Sequence, residues 1–117
     1  MSNIQKDDWI YVAHMLDMCN QAQDLVGRKT REEYDLDLAL RLALAHLIQI
    51  IGEAAQHVKP EFRQIYSKIP WHEVIGMRHR IVHDYMNIDE DVIWQVVQKD
   101  LPQLSNELKN IIPEEYL

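Results

Sequence analysis

Five side chains between residues 72 and 83 carry chemistry that a helical core does not need. They are His72, Arg78, His79, Arg80 and His83, within the run Trp71–Tyr85, WHEVIGMRHRIVHDY. Imidazole exchanges protons near neutral pH and guanidinium holds a permanent positive charge, so these types suit either metal binding or acid–base work on an anion. His79 and His83 stand at i and i+4, the spacing by which two histidines on one helix share a zinc ion. The HExxH pattern is not met, because Arg80 replaces the glutamate and a cation beside a metal is unfavourable. His72 lies about 10 Å from His79 along a helix axis, so Asp84 or another chain would have to complete a metal set. Without one, these are exposed polar residues on a helix face.

Proton transfer is the other chemistry. Read as one helix, the run places Trp71, Val74, Ile75, Ile81, Val82 and Tyr85 within about one third of a turn, a core-facing stripe, with Arg78 in its middle. A charge there needs compensation. Either Arg78 pairs with a core carboxylate such as Glu53, or it serves a site. His72, Gly76, His79 and His83 lie within roughly 60° of one another on the opposite arc, with Arg80 beside them. In an unbroken helix Arg78 and His83 are about 140° apart. They meet only if the helix ends or distorts near His83, or if a symmetry-related copy brings its own residues alongside. Metal-free RNA cleavage needs one group to take the proton of the 2′-hydroxyl, another to protonate the leaving oxygen, and a cation at the phosphate. A two-fold dimer with both His83 and both Arg78 side chains in one cleft would supply all three.

The elements that position these residues are predicted to be helices of a single domain, residues 1–117. The chain is 47% hydrophobic with three glycines and four prolines, an ordered globular composition. Lone Cys19 excludes an internal disulfide and a multi-cysteine zinc site, in keeping with a reducing cytoplasm. The start, MSNIQKDDW, has no basic segment followed by an apolar run, and Asp37, Arg41, His46 and Gln49 break the densest apolar stretch, Leu36 to Ile51. A soluble, cytoplasmic protein without a membrane span is expected. Net charge is −7, against a nonspecific nucleic-acid binder. That charge is uneven: −4 over residues 1–56, +3 over 57–83 and −6 over 84–117. A positive segment on an acidic body suits a phosphate-bearing ligand or an acidic partner.

Ser2, Asn3 and Asp7 are candidate caps of a first helix reaching about Val26, with Ile10, Ala13, Leu16 and Met18 apolar and Gly27 as its stop. Thr30 with Glu33 has capping-box spacing, and Asp35 is a second possible start for a long helix to about Val58. That helix is apolar over much of its circumference, so it is expected both centrally and at a subunit interface. A short helix follows over Glu61 to Tyr66, and Pro70 suits the first position of the motif helix. Asn87, Ile88 and Asp89 read as a turn, with Asp89 capping a last helix in which Pro102 predicts a kink or break near Gln98 to Leu101. No strand is predicted. The fold class is all-α: a bundle of four main helices plus a short one.

Over nearly the whole chain the sequence resembles a known family. Arg78-x4-His83-x-Tyr85 matches the R-x4-H-x-Y motif of the HepT family in the HEPN superfamily of small helical ribonucleases. Ile51-Gly52-Glu53-Ala54-Ala55, Pro60-Glu61-Phe62, Ile69-Pro70-Trp71 and Ile75-Gly76-Met77-Arg78 look like that family in order and spacing. The resemblance implies an HEPN-like fold and a homodimeric, metal-independent endoribonuclease, the toxin of a two-gene toxin–antitoxin system, with no cofactor of its own. It makes Arg78 and His83 the catalytic pair, with Glu53, His79, Arg80 and Asp84 as supporting residues. Tyr85 becomes the residue to which a cognate MntA-type nucleotidyltransferase adds AMP from ATP. Phosphate added there would occupy the cation and crowd out RNA. The alternative is a non-catalytic helical partner, or a nucleotide-binding module, for a minimal nucleotidyltransferase.

Overall fold

A computed structural model describes residues 6–84 and 87–117, apart from the side chains of His83 and Asp84; the caps expected at Ser2 and Asn3 lie outside the described residues. Helix α1, Lys6–Val26, carries Asp7 in its first turn, where a carboxylate favours the positive end of the helix, instead of at the cap. Gly27 ends it. Its φ of +51° is the left-handed conformation that costs glycine least, and its N–H donates to the Gln23 carbonyl at 2.9 Å.

The capping box forms, but it opens a separate five-residue helix, α2, Arg31–Asp35. Asp35 does not start the long helix. Its carboxylate is held by Arg31 at 2.8 Å, and Asp37 instead caps α3, Leu38–His57, accepting the Leu40 N–H at 3.0 Å. Pro60 opens α4, Pro60–Ile65, whose cap residue Lys59 makes no capping bond with its own side chain. Asp8, buried on α1, accepts the Lys59 N–H at 3.0 Å and ties the two helices.

Two short helices replace the single motif helix: α5, Trp71–Ile75, with Pro70 as its cap, and α6, Met77–Ile81. A hairpin absent from the sequence expectation follows. Strands β1, Val82–Asp84, and β2, Asn87–Ile88, pair antiparallel, with Val82 opposite Ile88 and Asp84 opposite Asn87. At three and two residues they are too short to show a period-two pattern, so Asn87 and Ile88 belong to a strand where a turn is expected.

Asp89 caps α7, Glu90–Gln95, as expected, accepting the Val92 N–H at 3.1 Å. Pro102 produces neither a break nor a free end. A π-helical turn, Val96–Asp100, runs directly into α8, Leu101–Ile111, and the Leu101 N–H reaches back to the Val96 carbonyl. Widening that turn accommodates a ring that would clash with the carbonyl four residues earlier and an imide nitrogen that donates nothing. A 3-10 turn, Glu114–Tyr116, follows.

The fold is all-α apart from the hairpin. One buried cluster joins Val12, Met15 and Cys19 of α1, Leu44, Ile48 and Ile51 of α3, and Leu101, Leu104 and Leu108 of α8. Ile10, expected inside, is exposed. α3 is long and apolar enough to cross a membrane by length and composition, and half of its most apolar window is buried inside the fold.

The junction of α2, α3 and α7 is polar. Tyr34, fully buried, donates its hydroxyl to Glu90 Oε1 at 2.6 Å, and Arg41 reaches Glu90 Oε2 at 3.2 Å. Burial first, and the Glu90 carboxylate second, raise the Tyr34 phenol far above its ordinary range. Tyr34→Phe takes one partner from Glu90, and is expected to lower stability by about 1–3 kcal/mol, read as a reduced urea midpoint at unchanged slope. Cys19 gives a pH prediction. Burial pushes its thiol from 9.0 up to about 12, so above pH 9 the unfolded chain releases a proton that the folded one keeps. Stability present below pH 9 should therefore fall between pH 9 and 12, and Cys19→Ala should flatten that fall in urea titrations across this range.

Candidate active site

Gly76 decides which side chains of the motif face outward. Its carbonyl accepts the His79 N–H at 3.0 Å and the Arg80 N–H at 3.4 Å, and its own N–H donates to His72 at 3.0 Å. Its backbone, at φ −81° and ψ −3°, interrupts the helix between Ile75 and Met77. The inward positions are then Trp71, Val74, Met77 and Ile81. Met77 takes the place expected of Arg78, and Arg78, His79 and Arg80 are all exposed. Arg78 is therefore not a buried charge in need of a partner. The stripe drawn on an ideal straight helix runs through Arg78 only because it assumes one axis through Gly76.

The second break comes at Ile81. Val82 turns to extended backbone, φ −117° and ψ 107°, and the Asp89 N–H meets the Ile81 carbonyl at 2.7 Å to close the base of the hairpin. Register shifts between Val82 and Asp84, making His83 the extra residue on the β1 side. Bulges of this kind recur beside active sites because they re-aim the chain. The helical separation of Arg78 and His83 therefore does not apply. Nor do His79 and His83 stand at i and i+4 of one helix, which removes the geometric basis of a helix-borne zinc pair. The side chains of His83 and Asp84 lie outside the described residues, and so does Tyr85.

A groove of about 370 Å³ lies between α3 and the α5–α6 pair. Gln49, Glu53 and Gln56 line one wall, and His72, Arg78 and His79 the other. The walls approach closely because Gly52 has no side chain. A Cβ there would sit 3.1 Å from the Val74 carbonyl oxygen and 3.5 Å from that of Ile75. Glu53 and Arg78 share the groove without forming the ion pair that was one of the two alternatives, and among the described residues their side chains make no hydrogen bond or salt bridge. His72 and His79 are exposed, and among the described residues their side chains likewise have no hydrogen-bond or ion-pair partner.

Arg80 goes elsewhere. It pairs with Asp100 of the π turn at 3.3 Å, both side chains being well exposed, a contact worth well under about 1 kcal/mol. Helical spacing puts Arg80 with the histidines and sets Arg78 apart; the structure groups Arg78 with His72 and His79. Gln49 and Gln56 were not anticipated. Their signal lies in spacing: Leu38, Leu42, His46, Gln49, Glu53 and Gln56 fall within about 80° of one another on α3, along about 27 Å of its axis.

Comparison with known proteins adds three kinds of finding. A family model described as "Ribonuclease HepT-like" matches residues 15–111. A protein of Caldanaerobacter subterraneus subsp. tengcongensis named "Putative RNase" is 33% identical over 105 residues, covering 90% of this chain and 94% of that protein. A "Probable ribonuclease HepT" of Thermococcus cleftensis is 30% identical over 95 residues, 78% of this chain and 86% of that one. In Methanocaldococcus jannaschii a longer protein, "Gamma-glutamylcyclotransferase and putative RNase", is 34% identical over 111 residues, 95% of this chain but 50% of its own length. No solved structure matches significantly.

The close approach at Gly52 is testable. Gly52→Val puts a branched side chain against the backbone of α5, and overpacking of this kind is expected to cost about 1–3 kcal/mol in urea unfolding. Backbone NMR shifts should change at His72 to Arg78, across the groove, more than in α8.

Proposed function

The chain belongs to the HepT-like ribonuclease family of the HEPN superfamily, and from that membership we propose that it is the ribonuclease toxin of a HepT/MntA-type toxin–antitoxin system. The observation that carries this reading is Arg78: a guanidinium held outward at a polar groove, with no side-chain partner among the described residues. A structural arginine would be paired. One kept free is available to a phosphodiester, which a planar guanidinium holds through two parallel hydrogen bonds.

In this reading His83 moves protons and Arg78 balances charge. A neutral imidazole takes the proton of the ribose 2′-hydroxyl, and the oxygen attacks the adjacent phosphorus. The bond to the 5′-oxygen breaks, and a second, protonated imidazole gives that oxygen its proton, leaving a 2′,3′-cyclic phosphate and a 5′-hydroxyl. Arg78 offsets the charge that builds on the phosphoryl oxygens. One chain supplies one His83, so two roles call for two chains. The exposed stripe of α3, with Leu38 and Leu42 59% and 55% exposed, supports a two-fold dimer, since adjacent apolar side chains on a helix favour a partner over water. No metal ion takes part in this sequence of steps.

Control would act on Tyr85. A cognate MntA-type nucleotidyltransferase transfers AMP from ATP to its hydroxyl, forming a phosphodiester and releasing pyrophosphate. The added phosphate engages Arg78 and excludes RNA.

The test is RNA cleavage by the purified protein in EDTA, with intact mass measured after production with and without the neighbouring gene. Unmodified protein should cut, His83→Ala should lose at least about a hundredfold in rate while keeping its urea midpoint, and co-production should add AMP at Tyr85 and silence cleavage. Cleavage that requires a divalent metal, or a protein that never cuts and only binds a nucleotidyltransferase through Arg78, would overturn the reading.

A further inference from the structure

The groove beside Arg78 is chemically two-sided, and that asymmetry bears on which nucleotide it takes. The wall from α5 and α6 offers the Arg78 guanidinium, a permanent cation, and the ring N–H donors of His72 and His79. The opposite wall, from α3, offers the Glu53 carboxylate between the amides of Gln49 and Gln56. These three are one turn apart on a single face, so they present a row along it. All lie within a cavity of about 370 Å³, inside the range of about 300–1,000 Å³ typical of small-molecule sites. A phosphate is repelled by the Glu53 wall and held by the other. A base edge is indifferent to charge and needs the donors and acceptors that the α3 wall provides.

We propose that this groove is a nucleotide subsite that selects guanine, with Glu53 reading the base while Arg78, His72 and His79 hold the phosphate. The assignment rests on the ribonuclease reading for its choice of ligand. An ionised carboxylate only accepts hydrogen bonds, and it accepts two side by side. Guanine alone among the four RNA bases presents two adjacent donors on its Watson–Crick edge, N1–H and the N2 amine. Adenine and cytosine present one donor beside an unprotonated ring nitrogen, which would face a carboxylate lone pair. Uracil presents one donor flanked by two carbonyls, both repelled by it. The guanine O6 acceptor is left for an amide N–H of Gln49 or Gln56. Glu53 is thus a specificity-determining residue for the bound nucleotide, and it takes no part in proton transfer.

The experiment is an NMR titration of the full-length protein, produced without the nucleotidyltransferase, with the 3′-monophosphates of guanosine, adenosine, cytidine and uridine. Guanosine 3′-monophosphate should bind about tenfold or more tightly than the other three, the usual scale of one bidentate base contact. Shifts should be centred on Gln49 to Gln56 and His72 to His79. Glu53→Gln presents one acceptor and one donor, so it should abolish the guanine preference and favour adenine or cytosine. As Glu53 is exposed on a helix, the variant should keep the wild-type urea midpoint. Equal affinity for all four nucleotides, binding of none, or a guanine preference that survives Glu53→Gln would each overturn the proposal. The two readings fail separately: RNA cleaved by a protein without base preference removes only the guanine subsite. A guanine preference in a protein that cuts no RNA leaves the subsite standing and removes the ribonuclease.

Discussion

The approach of α5 to α3 at Gly52 is the constraint on which the site depends. With no side chain at that position, the Val74 and Ile75 carbonyls come against the surface of α3, and the motif helices are fixed by backbone proximity as well as by the inward side chains Trp71, Val74, Met77 and Ile81. Packed interiors tolerate little change in volume, so this contact sets the width of the groove. It also determines that Arg78 faces the C-terminal half of α3.

Polar and apolar halves of one α3 face then acquire different uses. Toward its start the unburied stripe carries Leu38 and Leu42; toward its end it carries Gln49, Glu53 and Gln56. The apolar first half is the surface on which we propose that a second chain packs, and the polar second half faces the motif of its own chain. The buried side of the same helix, through Leu44, Ile48 and Ile51, holds the core. One helix therefore serves the core, the proposed interface and the groove, which accounts for its apolarity around most of its circumference.

Around the hairpin the scaffold is polar and closely tied. Glu90 receives both Tyr34 and Arg41, Asp91 receives Arg31 at 2.7 Å, and Asp89 both caps α7 and donates its N–H to Ile81. These contacts secure β2 and the start of α7, so the turn from α6 into β1 is held at both ends. Behind it, the π turn runs α7 into α8 without a break in spite of Pro102, and Arg80 reaches that turn at Asp100. The acidic residues after Asp84 thus mostly fasten the frame, while on the basic run before them Arg78 has no side-chain partner among the described residues.

By itself the sequence determined the helical class, the stop at Gly27, the Thr30–Glu33 box and the Asp89 cap, because each follows from local preference or from a regular period. It also carried the Arg78-x4-His83-x-Tyr85 motif, which depends on residue order alone. The direction of Arg78 was beyond its reach. That direction follows from the interruption at Gly76 and the exit at Ile81, which depend on how α5 seats against α3 and on a hairpin too short to leave a periodic signal. The groove was hidden for the same reason: Gln49, Glu53 and Gln56 lie some 25 residues from the motif, and only the packing at Gly52 brings the two walls face to face.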